Sequence, residues 1–306
     1  MKKFSIGTRL ITTCLIFSLF IYSCKKETSD PGLPPEQEEE VAELSMQAEN
    51  ENELVFNDVF DNVMGVNNEV GMAGLGVFGR TAYGGREFEM DSVCFTVSVS
   101  HLSTTSFFPV QIVIDFGGGC LGKDGHTRYG KITTIYTGRL TMPGNSATTT
   151  FDGFKIDSFS VEGKHTITNT TTAGSNQRQF TIKIDNAKIT KPSGNYSVRT
   201  SNRIITQVDG NATPDLPLDD VFSITGSAYG QIKKHNNLYS WKSEITLPLI
   251  KKFSCRWLSK GEVKLWRERL STSSPWVATL NFGDGTCDFI AILTINGLPR
   301  TIKLPH

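Results

Sequence analysis

The chain has 306 residues, 38% of them hydrophobic, with 31 basic and 31 acidic side chains. That length allows one large or two modest domains with a sizeable core, and the hydrophobic share is too low for a multi-span membrane protein. The formal net charge is zero and no nucleic-acid partner is expected; the 28 glycines and abundant threonine suit β-structure with many turns.

At the N-terminus, Lys2, Lys3 and Arg9 precede an apolar stretch over residues 10–22. A bilayer-spanning helix needs roughly 20 residues, so this stretch reads as the core of a secretory signal rather than a span. Ile21-Tyr22-Ser23-Cys24 then resembles the lipobox of bacterial lipoproteins. The resemblance implies cleavage before Cys24 and attachment of diacylglycerol to its thiol, with membrane contact through the lipid anchor. Residues 1–23 are therefore predicted to be a signal peptide. The mature protein is expected in the cell envelope, at the outer membrane, with either face open.

Residues 24–90 are predicted to form an acidic tether, a short helix and a Gly-rich linker. Residues 27–61 hold 12 acidic side chains and no basic one, which leaves 19 acidic and 26 basic residues from Asn62 onward. Two readings follow: a solvated acidic stalk, or an arm lying against a basic face or a body that prefers anionic glycans or lipid head groups. Within residues 36–64, Val41, Leu44, Ala48, Val55, Val59 and Val63 recur at spacings near 3.6, predicting a helix with one apolar stripe, open to interruption at residues 50–52. Gly74-Leu75-Gly76-Val77-Phe78-Gly79 matches GxGxxG by letter, but it leads into strand-like sequence instead of a βαβ unit, so no nucleotide cofactor is expected.

From residue 91 to 306 the character is that of strands. Phe95, Val97 and Val99 alternate with Thr96 and Ser98; similar runs fall at 110–116, 129–140, 180–185, 221–229, 239–249, 256–266, 277–282, 289–295 and 301–304. Period-two alternation between Gly, Asn and Asp turns predicts an all-β domain of antiparallel, meandering sheets, packed as a sandwich or curled into an open barrel.

A weak repeat runs through this domain. Ile112-Val113-Ile114-Asp115-Phe116-Gly117-Gly118-Gly119-Cys120 is similar to Ala278-Thr279-Leu280-Asn281-Phe282-Gly283-Asp284-Gly285-Thr286-Cys287, and each follows a segment carrying another cysteine. Four cysteines remain in the exported chain and allow three pairings; the repeat favours local bridges, Cys94–Cys120 and Cys255–Cys287. No two lie close enough in sequence for a CxxC-type zinc site, and no metal is expected.

The segments 115–120, 124–132 and 137–139, with Val161-Glu162-Gly163, Ile167-Thr168-Asn169, Cys255-Arg256-Trp257 and 282–288, resemble a group of uncharacterised β-rich bacterial lipoproteins. The resemblance covers about residues 94–304 and implies a secreted β-rich protein. It carries over no activity.

Candidate chemistry is sparse. His101, His126, His165, His235 and His306 form no metal-binding spacing, each reads as a turn or surface residue, and no GxSxG elbow occurs. Asp115, Asp124, Asp284 and Asp288 sit near glycine turns, where carboxylates can bind calcium, serve as a glycosidase pair or simply shape the turn. Strand parity places Trp257 with Cys255, Val263 and Leu265 on a buried face and Trp266 on the opposite one. Trp266 and Trp276 are therefore the candidate ligand-binding aromatics, against an alternative of packing across a hairpin. The leading reading is a non-enzymatic, lipid-anchored envelope protein that binds a glycan or another envelope protein or has a structural role. A carbohydrate-active hydrolase using loop carboxylates is the second. A carrier of lipid or another apolar ligand, which would need a closed barrel with an apolar interior, is the third.

Overall fold

The computed structural model describes residues 33–64, 94–122, 125–213, 217–234, 237–268 and 274–304. Residues 33–306 belong to one compact unit, whose described elements are one α-helix, a three-residue 3-10 helix and one sheet.

The helix α1 (Pro35–Met64) begins on a proline whose fixed φ suits a first helical turn, and Glu36 and Glu38 lie near its positive end. It runs unbroken for 30 residues, so the interruption considered at residues 50–52 does not occur. Nor is its buried surface one apolar stripe. Val41, Met46, Val55, Phe56, Val59, Phe60 and Val63 are buried, and so are Glu38, Glu49, Asn52, Glu53 and Asn62. A helix enclosed on so many sides must lie inside the sheet instead of on top of it.

The sheet contains β1 (Thr96–His101), β2 (Val110–Asp115), β3 (Cys120–Leu121), β4 (Thr127–Tyr136), β5 (Ser146–Ile156), β6 (Phe159–Asn169), β7 (Gln179–Thr190), β8 (Tyr196–Asp209), β9 (Val221–Lys234), β10 (Asn237–Lys252), β11 (Leu258–Arg267), β12 (Val277–Asp284), β13 (Ile290–Ile295) and β14 (Leu298–Lys303). All pairings are antiparallel, each main strand beside the next in sequence, with β2 pairing β4 and the two-residue β3 set against the start of β4. The expected all-β antiparallel meander is therefore present as one 14-stranded sheet. It is neither two stacked sheets nor a closed barrel, because β1 and β14 remain its edges.

The helix α1 meets β4 through Tyr136, whose hydroxyl donates to the Val63 carbonyl, and its side chains meet β5 through Phe151, β6 through His165, β9 through Phe222, β10 through Trp241 and β14 through Arg300. The sheet thus curls around the helix. Its inward positions follow the pleat: Ile112 and Ile114 on β2, Ile182 and Ile184 on β7, Val263 and Leu265 on β11, Ala278 and Leu280 on β12 are all buried. Each fully buried large aliphatic or aromatic side chain stabilises by roughly 1.5–3 kcal/mol. At one point the packing needs a glycine: a Cβ on Gly230 would lie 2.1 Å from Cζ2 of Trp241, which is fully buried on the facing strand.

Both expected disulfides are present. Cys94–Cys120 ties the entry to β1 onto β3, and Cys255–Cys287 ties the β10–β11 connection to the β12–β13 connection. Loops of 26 and 32 residues correspond to roughly 3 kcal/mol each in the chain-entropy picture.

Candidate functional site

The inner face of the sheet is lined with cations that meet the acids of α1. Arg199 on β8 donates to Glu49 at 3.0 Å and to Glu53 at 2.6 Å, and Arg203, four residues further along on the same inward face, donates to Glu53 at 2.6 Å. Ser243 donates to Glu49 at 3.0 Å. Burial alone would raise the Glu53 carboxyl, but Arg203 and Arg199 outweigh it and hold the group below its ordinary value. Further along α1, Arg128 pairs with Asp58, Lys251 with Asp61 at 2.9 Å and Lys191 with Glu51 at 2.7 Å. Arg267, Lys234 and Arg300 pair with Glu38, Glu40 and Glu43.

Of the two readings of the acidic arm, its helical part is therefore an arm against a basic face. Arg199, Arg203, Glu49 and Glu53 are shut away from solvent and paired with one another, so they specify how α1 seats, whereas the Lys234–Glu40 and Arg300–Glu43 pairs are partly exposed. Burial pushes the Asp61 carboxyl up, to about 6, against the pull of Lys251 and with a further push from Asp58.

The outer face presents the other half of the pleat. Backbone register aligns Thr200, Tyr229, Lys242 and Trp266 in one row across β8 to β11. The adjacent row holds Lys183, Asn202, Ser227, Glu244 and Lys264 across β7 to β11. Between them runs an open groove of about 660 Å³, floored by these strands and also bordered by Asp185. Trp266 is half-buried, and its indole Nε1 has no hydrogen-bond partner among the described residues. Tyr229 stands two strands away in the same row, across Lys242, with its hydroxyl donating to Ser240 Oγ at 3.3 Å. Lys183, Lys242 and Glu244 enter no ion pair among the described residues, whereas Asp185 meets Lys164 at 3.3 Å.

A second depression of about 700 Å³ lies over β4 to β7, bordered by Tyr129, Lys155, Asp157 and Lys191. Two of its charged groups are committed elsewhere: Asp157 accepts from Thr127 N at 2.9 Å and faces His126 Nδ1 at 2.7 Å, and Lys191 is bound to Glu51, which leaves Lys155. The groove beside Trp266 brings more together: an indole, a phenol and three charged side chains that enter no ion pair among the described residues.

Other expected residues fall as follows. Trp276 is corrected: it is 1% exposed, because it shares parity with the inward Ala278, Leu280 and Phe282, and it cannot reach a ligand. Trp257 is half-buried against Phe289 instead of lying in the core, since β11 begins only at Leu258 and the alternation does not extend back to it. His165 is also corrected: it is buried with its ring stacked on Phe56 at 5.9 Å, and burial lowers it to about 3. His101 lies at the surface with Nδ1 at 2.9 Å from the Phe107 carbonyl. Cys24, the GxGxxG segment, Asp124, His235 and His306 lie outside the described residues.

Asp115 and Asp284 shape turns. Asp115 accepts from Gly117 N at 2.9 Å and pairs with Lys131, and Asp284 accepts from the Thr286 hydroxyl at 2.8 Å and its backbone N–H at 3.1 Å. These bonds hold both carboxyls below their ordinary values, the opposite of the elevation a glycosidase acid needs. No cluster of three or more His, Cys, Asp or Glu able to hold a metal occurs among the described residues. No helix among them is long and apolar enough to cross a membrane.

Comparison with known protein families, curated proteins and solved structures finds no match to this chain.

Proposed function

We propose that this is an envelope protein held to the outer membrane by lipid on Cys24, and that its β-body binds a glycan in the outer groove at Trp266. The observation that carries the binding role is the groove itself: Trp266 and Tyr229 stand within a polar ladder of Thr200, Asn202, Ser227, Lys242 and Glu244. Half-wet aromatic rings give sugar C–H faces a surface to stack on, and the surrounding amide, hydroxyl, ammonium and carboxylate groups suit sugar hydroxyls. With Asp185 held by Lys164, the uncommitted charges are Lys183 and Lys242 against Glu244, a near balance that favours a neutral glycan over a strongly acidic one. The lipid assignment rests on the sequence around Cys24. Because α1 carries most of the acidic run within the body, that run is not a long solvated stalk.

A carrier of apolar ligands loses support because the sheet is open and α1 fills the space inside it. The test is titration of the purified protein with soluble neutral and acidic oligosaccharides by calorimetry. A neutral oligosaccharide should bind the wild type, and Trp266→Ala should weaken it by at least about tenfold, on the order of 1.4 kcal/mol. Failure of every sugar to bind, or binding unchanged in Trp266→Ala, would rule the groove out as a glycan site.

A further inference from the structure

The two edges of the open sheet are built differently. β14 carries Pro299, Arg300 and Lys303, the residues that commonly keep an edge from pairing with another chain. β1 has the sequence Thr96-Val97-Ser98-Val99-Ser100-His101, with no proline, glycine, Lys, Arg, Asp or Glu, and among the described residues β2 is its only strand neighbour. Val99 pairs with Ile112, which is buried on the inner face, yet Val99 itself is 50% exposed, no described strand lying beyond it. Just past β1, Leu102 is 51% and Phe107 63% exposed. An undefended edge therefore adjoins exposed apolar side chains.

We propose that β1 pairs antiparallel with the β1 of a second copy of this chain, continuing the sheet across a twofold axis. An unpaired edge asks for an extended strand, since its N–H and C=O groups match nothing else as well. Self-pairing suits β1 because it sets no charge against its twin; β14 paired with itself would bring Arg300 and Lys303 toward their like. Pairing β1 of one copy with β14 of another would be head-to-tail and would give a ring or a filament instead of a closed pair. Keeping the inner face inward allows a register with Ser98 opposite Ser98 and Val97 opposite Val99 on both sides of the axis. A strand pair alone buries less than the roughly 1,000 Å² of a specific dimer, and Leu102 and Phe107 add apolar area. The proposal is independent of the glycan groove.

The test uses the full chain with Cys14 and Cys24 replaced by serine and Ser98→Cys added, under mild oxidation, Cys94, Cys120, Cys255 and Cys287 remaining bridged. A disulfide-linked dimer should form readily and fall by about tenfold when Val99→Lys is added, while Lys303→Cys on β14 should stay monomeric. Sedimentation of the wild type at micromolar concentration should give the dimer mass, which guards against a variant that merely misfolds. A wild-type monomer at all concentrations, a folded Ser98→Cys chain that does not cross-link, cross-linking unaffected by Val99→Lys, or equal cross-linking through Lys303→Cys would each overturn the proposal.

Discussion

Along β8, Arg199 and Arg203 point inward and are enclosed with Glu49 and Glu53 of α1, while Thr200 and Asn202, their neighbours in the chain, point outward into the groove. Inside, each of these charges is matched by a partner on α1. Outside, Lys183, Lys242 and Glu244 stand around Trp266 with no ion-pair partner among the described residues. The difference teaches how one strand can serve two tasks: the inward residues fix the fold and the outward ones remain available to a ligand. It also shows why charge alone is a poor guide to function. The densest cluster of ionisable groups in this molecule is structural, and the sparse outer set is the better binding candidate.

The sharpest way to break this comparison is to unbalance the inner face. Glu53→Ala removes the carboxylate shared by two buried guanidiniums and should cost about 3–5 kcal/mol, because each would lose a compensating charge. Urea unfolding would read this directly. A loss no larger than that of a surface substitution would mean that α1 is not seated by these pairs.

A second test exploits two inner-face groups whose acidities move in opposite senses. Burial raises Asp61 from 3.8 to about 6, so between those values its folded form binds a proton that the unfolded chain does not, and its contribution to stability falls as pH rises. Burial lowers His165 from 6.5 to about 3, so over the same interval the unfolded chain binds the extra proton, and its contribution rises with pH. Between about pH 4 and 6 the two offset each other. Asp61→Asn should therefore add a positive slope, and His165→Phe a negative one, of at most about 1.4 kcal/mol per pH unit relative to wild type. Denaturant titrations at several pH values would test this; equal slopes in all three proteins would show that neither site is closed to water.

The smallest expected effect on stability belongs to the outer face. Lys242→Ala removes an exposed side chain and should change unfolding free energy by no more than about 0.5 kcal/mol, yet weaken binding of a neutral oligosaccharide in calorimetry. A large loss of stability would instead make the groove part of the structural framework.

Much of the fold was legible in sequence where apolar and polar residues alternated, as in β2, β4 and β7, and the duplicated Phe-Gly-x-Gly-containing segments before Cys120 and Cys287 pointed to both disulfides. β8 escaped because its inward positions include Ser197, Arg199, Ser201 and Arg203, so the apolar alternation that marks a half-buried strand is inverted there by the acids of α1. β5 carries threonine on both faces, Thr148 and Thr150 on one and Thr149 on the other; Thr149 is buried and bonded to Thr134 at 2.8 Å, a pairing that looks like surface in a linear reading. The acidic run beside a basic body signalled that the two could meet, but not that the helix would be enclosed. Parity found Trp266. The same parity, continued one position before β12, would have assigned Trp276 to the core. The remainder of the groove comes from five strands and becomes visible only once their register is known.

The account depends most on α1 being the centre of the body and not an external arm. Native-state hydrogen exchange resolved along the chain would measure this most directly. The expected result is that amides in the middle of α1, around Ala48 to Phe60, exchange only through global unfolding, as slowly as the central strands. Exchange of that segment within seconds to minutes at neutral pH, while β7 to β11 stay protected, would contradict the account and return the acidic run to the role of a solvated stalk.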